Sequence, residues 1–194
     1  MSQKKQYRKN IITVFDDFLT EKENIKIIEY YHNQDFSPYI IDPSYKIPFY
    51  CQSRNVFPLI DRMIEAVYFD FYDGFEAWWN PDQAPSMHFD YDIVKRHESG
   101  EIVHPNFSIV YYPFVDIEDG GGGLVISETA IIESKTRRLI AFDSSLAHGV
   151  SDFTGRRLSL AVNIWKQKPL GIEAVNQKVS NENQPKESMS SQQF

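Results

Sequence analysis

The 194-residue chain has one cysteine, Cys51, so neither an intrachain disulfide nor a cysteine-built zinc cage can form. No apolar run approaches the length of a membrane span. Basic residues are in the minority: 20 Lys and Arg against 27 Asp and Glu give a net charge of −7 at pH 7. A nucleic-acid surface needs a basic stripe, so neither a nucleic-acid nor a membrane partner is expected. The basic start, MSQKKQYRKN, leads into Ile11-Ile12-Thr13-Val14-Phe15, a short apolar run closed by Asp16 and Asp17. That is not a secretory leader, and a cytoplasmic location is expected. Glycine is sparse at nine residues, yet four stand together at 120–123. No Lys-Ser/Thr follows them, so they read as a turn between strands and not as a phosphate loop.

The length suits one domain able to bury a core. Aromatics make up 14%, with 14 Phe and 11 Tyr, which favours sheet. Thr20 and Glu23 form a capping box for a helix over 24–33, with Ile25, Ile28 and Tyr31 or His32 along one side. Residues 34–55 hold three prolines and read as loop with a short strand near Phe49–Arg54. Val56, Leu59, Ile60, Met63, Ile64 and Val67 recur at helical spacing, predicting a second amphipathic helix over 56–69. Short β-rich runs then follow at 75–80, 86–91, 107–114, 123–128, 131–133, 139–142 and 157–165. Helices first and strands after predict a mainly β (α+β) fold, a sandwich or jelly roll with the helices on one outer sheet face. In the last run Leu158, Leu160, Val162 and Ile164 share one side; Arg157, Ser159, Ala161 and Asn163 share the other. The aliphatic side needs helices over it, and the other has the texture of a cavity wall. The domain is read as residues 1–169. The polar stretch 170–194, with almost no aromatics, is read as a disordered tail.

Of five histidines, His32 suits a helix C-terminus, His97 lies in a charged loop and His104 precedes a proline. His88 differs. In Met87-His88-Phe89-Asp90, an extended backbone puts the imidazole and the carboxylate on one face, where both can grip one metal ion. His148, between an apolar strand and a glycine turn, is the candidate third ligand. Two His and one carboxylate on one side of a metal leave the opposite positions open, the arrangement that non-heme Fe(II) oxygenases use. Arg157 stands nine residues beyond His148, and its guanidinium fork suits a carboxylate. The competing reading of Arg156 and Arg157 is a solvated pair; the small residues sharing Arg157's face favour the cavity.

In this order the pieces resemble the Fe(II)/2-oxoglutarate-dependent dioxygenase superfamily, in its prolyl-4-hydroxylase-like branch. The carriers are His88-Phe-Asp90, then Phe107-Ser-Ile-Val-Tyr-Tyr-Pro-Phe with the glycine turn and Gly123-Leu-Val-Ile, then Arg138-Leu-Ile-Ala-Phe leading to His148, then Arg157-Leu-Ser-Leu-Ala-Val-Asn-Ile-Trp. Phe15-Asp-Asp-Phe-Leu-Thr before a helix is similar to the usual start of these chains. The resemblance covers roughly residues 75–166 and implies a double-stranded β-helix (jelly roll, cupin-like). It implies that His88, Asp90 and His148 bind Fe(II) and that Arg157 takes the distal carboxylate of 2-oxoglutarate, with Ser159 beside it. Tyr111 is the nearest match to a tyrosine that helps hold that carboxylate, and Tyr112 is the alternative. The implied reaction consumes O2 and 2-oxoglutarate, releases succinate and CO2, and hydroxylates a C–H bond. Asp90 argues against halogenation, for which the carboxylate would be missing. Tyr112-Pro113-Phe114 departs from the family's Tyr-Leu-Asn and is expected to alter the strand end. Trp78-Trp79-Asn80 departs from collagen-type relatives, so prolyl specificity is not carried over.

The substrate is read as a small, amino-acid-like molecule or a protein side chain, with Trp78, Tyr50, Arg54 and Asp143 as candidate pocket residues. Two alternatives stay open. One is a non-catalytic jelly-roll binding module. The other is a metal-dependent hydrolase with Asp92 as its base. Nothing in the sequence sets an oligomeric state.

Overall fold

Thr20 starts the first helix, and its side chain accepts from the Glu23 backbone while Glu23 returns a carboxylate to the Thr20 N–H at 2.9 Å. The computed structural model describes residues 12–36, 39–42, 45–47, 49–52, 55–68, 70–127 and 130–170. The polar start, the tail beyond residue 170 and Arg54 lie outside the described residues. The elements are β1 (Ile12–Phe15), α1 (Glu21–His32), β2 (Tyr39–Asp42), β3 (Tyr45–Ile47), β4 (Phe49–Cys51), α2 (Pro58–Val67), β5 (Gly74–Pro81), α3 (Ile93–Ser99), β6 (Phe107–Ile117), β7 (Leu124–Ile126), β8 (Ala130–Ile132), β9 (Leu139–Phe142), β10 (His148–Val150) and β11 (Gly155–Trp165). No helix among them is long and apolar enough to cross a membrane.

A six-stranded antiparallel sheet in the order β1-β9-β6-β11-β5-β4 faces a three-stranded sheet, β10-β7-β8. α1 and α2 cover the outside of the large sheet, as expected. Ile27 of α1 and Ile60, Met63 and Ile64 of α2 are buried with Ile109, Tyr111, Leu139, Leu160, Val162 and Ile164. Each such side chain contributes roughly 1.5–3 kcal/mol when fully buried. The stripe of α1 is not the expected one: Ile25 is exposed, and Asn24 is buried with Ile27. Asn24 is tolerated there because its amide donates to the Pro113 carbonyl at 3.0 Å and accepts from the Tyr111 hydroxyl at 2.7 Å.

A second cluster, Tyr112, Leu124, Ile126, Ile140 and Phe142, fills the space between the sheets. The two strands that carry most of the inner wall, β6 and β11, pair over their whole length with one register shift. Leu158 faces Phe114 while Leu160 faces Tyr111, so β6 spends one extra residue at Tyr112-Pro113. Proline, with no N–H to offer a ladder, suits that bulge. The expected change at Tyr112-Pro113-Phe114 is therefore a bulge inside a strand that runs on to Ile117, not a strand end.

Four elements escaped the sequence reading, two of them β2 and β3 in the stretch 34–55 read as loop. α3 falls in the supposed charged loop at residues 93–99, capped by Asp92, whose Oδ1 accepts from the Lys95 N–H. β10 is three residues long, and its strand identity comes from pairing with β7.

Candidate functional site

The strand expected at Ser86–Tyr91 is reduced to one bridge. His88 and His148 exchange both backbone hydrogen bonds, at 2.8 and 2.9 Å, which fixes the two imidazoles side by side. A Cβ on Gly149 would come within 2.9 Å of the Met87 nitrogen, so this close crossing needs glycine after His148. Each imidazole uses Nδ1 on a backbone carbonyl: His88 on Ser86 at 2.7 Å, His148 on Leu146 at 3.1 Å. A carbonyl only accepts, so Nδ1 carries the proton and Nε2 presents its lone pair. Asp90 lies between the two: Oδ1 is 3.7 Å from His88 Nε2, and Oδ2 is 3.4 Å from His148 Nε2.

The three ligand atoms lie within 4.8 Å of one another. Neighbouring ligands about 2.1 Å from one ion stand about 3 Å apart, so a small inward shift completes the set. The donors, two nitrogens and a carboxylate, fit Fe(II) with its far side open. Burial pushes the Asp90 carboxyl up, but the hydrogen bond and charge of His148, with Asn163 and His88, bring it below its ordinary value. Burial works against the His148 imidazolium, and Asp90 outweighs it, so His148 titrates above its ordinary value.

Arg157 enters the same cavity from β11 and is buried. It is not reached by a hairpin from His148: β10 belongs to the small sheet and β11 to the large one. Its Nη1 donates to the Gly122 carbonyl at 2.9 Å and its Nη2 to the Gln83 carbonyl at 2.8 Å. Nε has no partner and no exposure. The glycine turn is therefore more than a connector, because it holds the guanidinium. Gly122 has φ +71°, and a Cβ on Gly121 would meet the Asp152 carbonyl at 2.0 Å, so neither position admits a side chain. The Tyr112 hydroxyl is also buried without a partner, its ring 5.5 Å from the Arg157 guanidinium carbon. Burial pushes this phenol up to about 12, so it stays a donor.

Tyr111, the expected cavity tyrosine, is corrected: its hydroxyl is spent on Asn24 in the helix layer. Below the bulge Tyr111 shares the outward side with Leu160, and the inward side falls to Tyr112. Ser159 and Trp78 line the cavity, with Asn80 and Pro85 nearby. Tyr50 does not; its hydroxyl donates to Asp73 at 2.6 Å and its ring closes over Gly74. Asp143 does not either; its Oδ1 caps a turn by accepting from Ser145 N and Oγ. Asp92, the base of the hydrolase alternative, is committed at both oxygens, to Lys95 N and Leu170 N.

Sequence reasoning missed Asn163, Ser108 and Glu76 as functional neighbours. Asn163 had been placed on the cavity side only as a small wall residue. Its Nδ2 donates to Asp90 Oδ2 at 3.1 Å. Glu76, across from Asn163 on β5, is buried and accepts from Trp165 Nε1 at 2.8 Å. Burial raises its carboxyl from 4.5 to about 8. An acid raised in the folded state stabilises below its unfolded value and loses that contribution as pH rises through the folded one. Between those two values this one group therefore lowers stability as pH rises. Glu76→Gln keeps the acceptor for Trp165 and removes the titration. Thermal melts should show the wild type falling relative to Glu76→Gln between pH 6 and 8; parallel curves would contradict a neutral buried carboxyl.

No protein-family model matches the sequence, and no curated protein matches it. Solved structures do, and they show the fold: the chain has the jelly-roll fold also found in 2-oxoglutarate–Fe(II) oxygenases. A viral collagen prolyl hydroxylase from Paramecium bursaria Chlorella virus-1, in complex with 2-oxoglutarate, shares 16% identity over 79% of this chain and 94% of its own, with a TM-score of 0.54. A prolyl-4-hydroxylase from Pseudomonas putida shares 14% over 81% and 88%, at 0.51. HygX from Streptomyces hygroscopicus, with nickel and 2-oxoglutarate bound, shares 11% over 82% and 83%, at 0.52.

Proposed function

We propose that the protein is an Fe(II)- and 2-oxoglutarate-dependent dioxygenase that hydroxylates a small amino-acid-like molecule or a protein or peptide side chain. One observation carries the reading. A single cavity holds a His-Asp-His ligand set together with two buried donors, Arg157 Nε and the Tyr112 hydroxyl, that have no hydrogen-bond partner among the described residues. Buried polar atoms are rarely orphaned, and a donor pair in a cavity calls for an acceptor from outside. A carboxylate reaching back from a co-substrate on the metal meets that need.

His88, Asp90 and His148 hold the metal in this reading. Arg157 and Tyr112 bind the distal carboxylate of 2-oxoglutarate, and Ser159 lines the wall between. The bound metal, with O2 and 2-oxoglutarate, supplies the oxidation that turns a substrate C–H into C–OH as succinate and CO2 leave. The chain itself orients. The Ser86 and Leu146 carbonyls keep both imidazoles in the tautomer that binds metal, and the Gly122 and Gln83 carbonyls hold the guanidinium in one plane. Trp78, which lines the cavity, is the residue in line to meet the substrate.

The hydrolase alternative is weakened because Asp92 has no free oxygen for a water. The binding-module alternative gives no reason for three convergent metal ligands. The test is succinate release from 2-oxoglutarate with Fe(II) in air, screened over free amino acids and peptides. Because two neighbours are named as prolyl hydroxylases, proline-containing peptides come first. The reading expects succinate formation that one substrate class stimulates. No 2-oxoglutarate turnover and no 2-oxoglutarate binding by iron-loaded protein would defeat it.

A further inference from the structure

Asp90 does not stand alone on the metal side of the cavity. A buried polar chain runs behind it: Asn163 Nδ2 to Asp90 Oδ2 at 3.1 Å, Ser108 Oγ to Asn163 Oδ1 at 2.6 Å, and Ser108 Oγ to Ser144 Oγ at 2.8 Å. Asn163, Ser108 and Ser144 are all buried. The direction of every bond follows from chemistry. A carboxylate only accepts, so the Asn163 NH2 must face Asp90 and its carbonyl must face away. That carbonyl only accepts, so Ser108 donates to it. The Ser108 oxygen then accepts from Ser144. On its other flank Asn163 sits opposite Glu76 of β5. Turning the amide over would set its carbonyl against the Asp90 carboxylate and leave Ser108 without its acceptor, a costly exchange in a buried site.

Resting on the oxygenase reading, we propose that Asn163 is a positioning residue that pins the Asp90 carboxylate so that only one of its oxygens is offered to the metal. The arithmetic of the centre requires this. His88, Asp90 and His148 would each give the ion one atom and leave its open side to the co-substrates. A second Asp90 oxygen on the ion would occupy a position that the reaction needs. Asn163 engages Oδ2, and Ser108 and Ser144 prevent the amide from releasing it. The network is assembled by the registers of β11 with β6 and with β5, where Asn163 faces Ser108 on one side and Glu76 on the other. Its central pair, Asn163 and Ser108, is therefore fixed by strand pairing.

The test uses Co(II) as the probe on the full chain, with wild type, Asn163→Leu, Ser108→Ala and the double variant. Melting temperature reports folding. The readouts are Co(II) affinity, the visible Co(II) spectrum and the affinity of 2-oxoglutarate for the Co(II)-loaded protein. Asn163→Leu is expected to weaken Co(II) binding about tenfold or more. It should alter the visible spectrum and weaken 2-oxoglutarate by a similar factor. Ser108→Ala leaves Asn163 in place but frees its carbonyl, so it should give the same spectral change at smaller size. The double variant should be no worse than Asn163→Leu, because both act through one bond. Folded variants whose three readouts match wild type would overturn the proposal, and so would additive losses in the double variant. If Asn163→Leu fails to fold, Ser108→Ala decides alone. A wild type that takes no Co(II) would overturn this proposal and the oxygenase reading together. A wild type that binds Co(II) and 2-oxoglutarate beside unaffected variants would remove only the role of Asn163.

Discussion

Asp90→Ala is expected to lose 2-oxoglutarate turnover by at least about a thousandfold, roughly 4 kcal/mol of transition-state stabilisation. The carboxylate is the one anionic ligand in the set and sits between both Nε2 atoms. Without it two neutral imidazoles remain, and they hold a divalent ion poorly. The substitution should not unfold the protein. His88 and His148 are held by their backbone bridge, and the Nδ1 contacts are independent of Asp90. The cost to the metal-free protein should be about 1–3 kcal/mol, from the Asn163 N–H left without an acceptor. Metal analysis and succinate release on protein of native circular dichroism check this. A variant that keeps stoichiometric iron and turnover would remove Asp90 from the centre.

Arg157→Met should raise the 2-oxoglutarate requirement at least about a hundredfold, or nearly 3 kcal/mol. It should also cost roughly 1–3 kcal/mol of stability, because the buried Gly122 carbonyl loses its donor. Arg157→Lys rescues little, since one ammonium cannot satisfy two carbonyls and a carboxylate in the plane of a fork. The tyrosines separate the two effects. The Tyr112 hydroxyl has no hydrogen-bond partner among the described residues, so Tyr112→Phe should weaken 2-oxoglutarate about tenfold and leave the melting temperature nearly unchanged. The Tyr111 hydroxyl is spent on Asn24, so Tyr111→Phe should lower the melting temperature and leave 2-oxoglutarate affinity alone. Titration of the cosubstrate and thermal melts read both. The opposite assignment would mean that the bulge in β6 does not set which tyrosine faces inward.

The contrast between those tyrosines marks how far the sequence could be read. Alternation along β11 was legible, because eight residues divide cleanly into an aliphatic side and a small-polar side, and both faces are where alternation puts them. Alternation along β6 was not, because one extra residue at Tyr112-Pro113 changes the phase, and Pro113 hints at a disruption without giving its direction. The His88-Phe-Asp90 spacing pointed to a shared face although the segment is a lone bridge and no strand, since any extended backbone alternates. Tyr50 and Asp143 looked available only because their partners, Asp73 and Ser145, are fixed by folding. α1 was found by its cap, but its buried stripe was misjudged, because Asn24 becomes a core residue only once Tyr111 and Pro113 meet it. Asn163 passed as wall for the same reason: its role depends on a cross-strand register that no local pattern encodes.

The central claim, one cavity for metal and 2-oxoglutarate together, is tested most directly without substrate and without oxygen. Fe(II) is added to metal-free protein under anaerobic conditions, followed by 2-oxoglutarate, while the weak visible charge-transfer absorption of an Fe(II)–2-oxoglutarate chelate is followed. The account predicts a band that saturates at one equivalent, disappears in Asp90→Ala and needs far more 2-oxoglutarate in Arg157→Met. Folded protein that binds Fe(II) and gives no band at any 2-oxoglutarate concentration would contradict it.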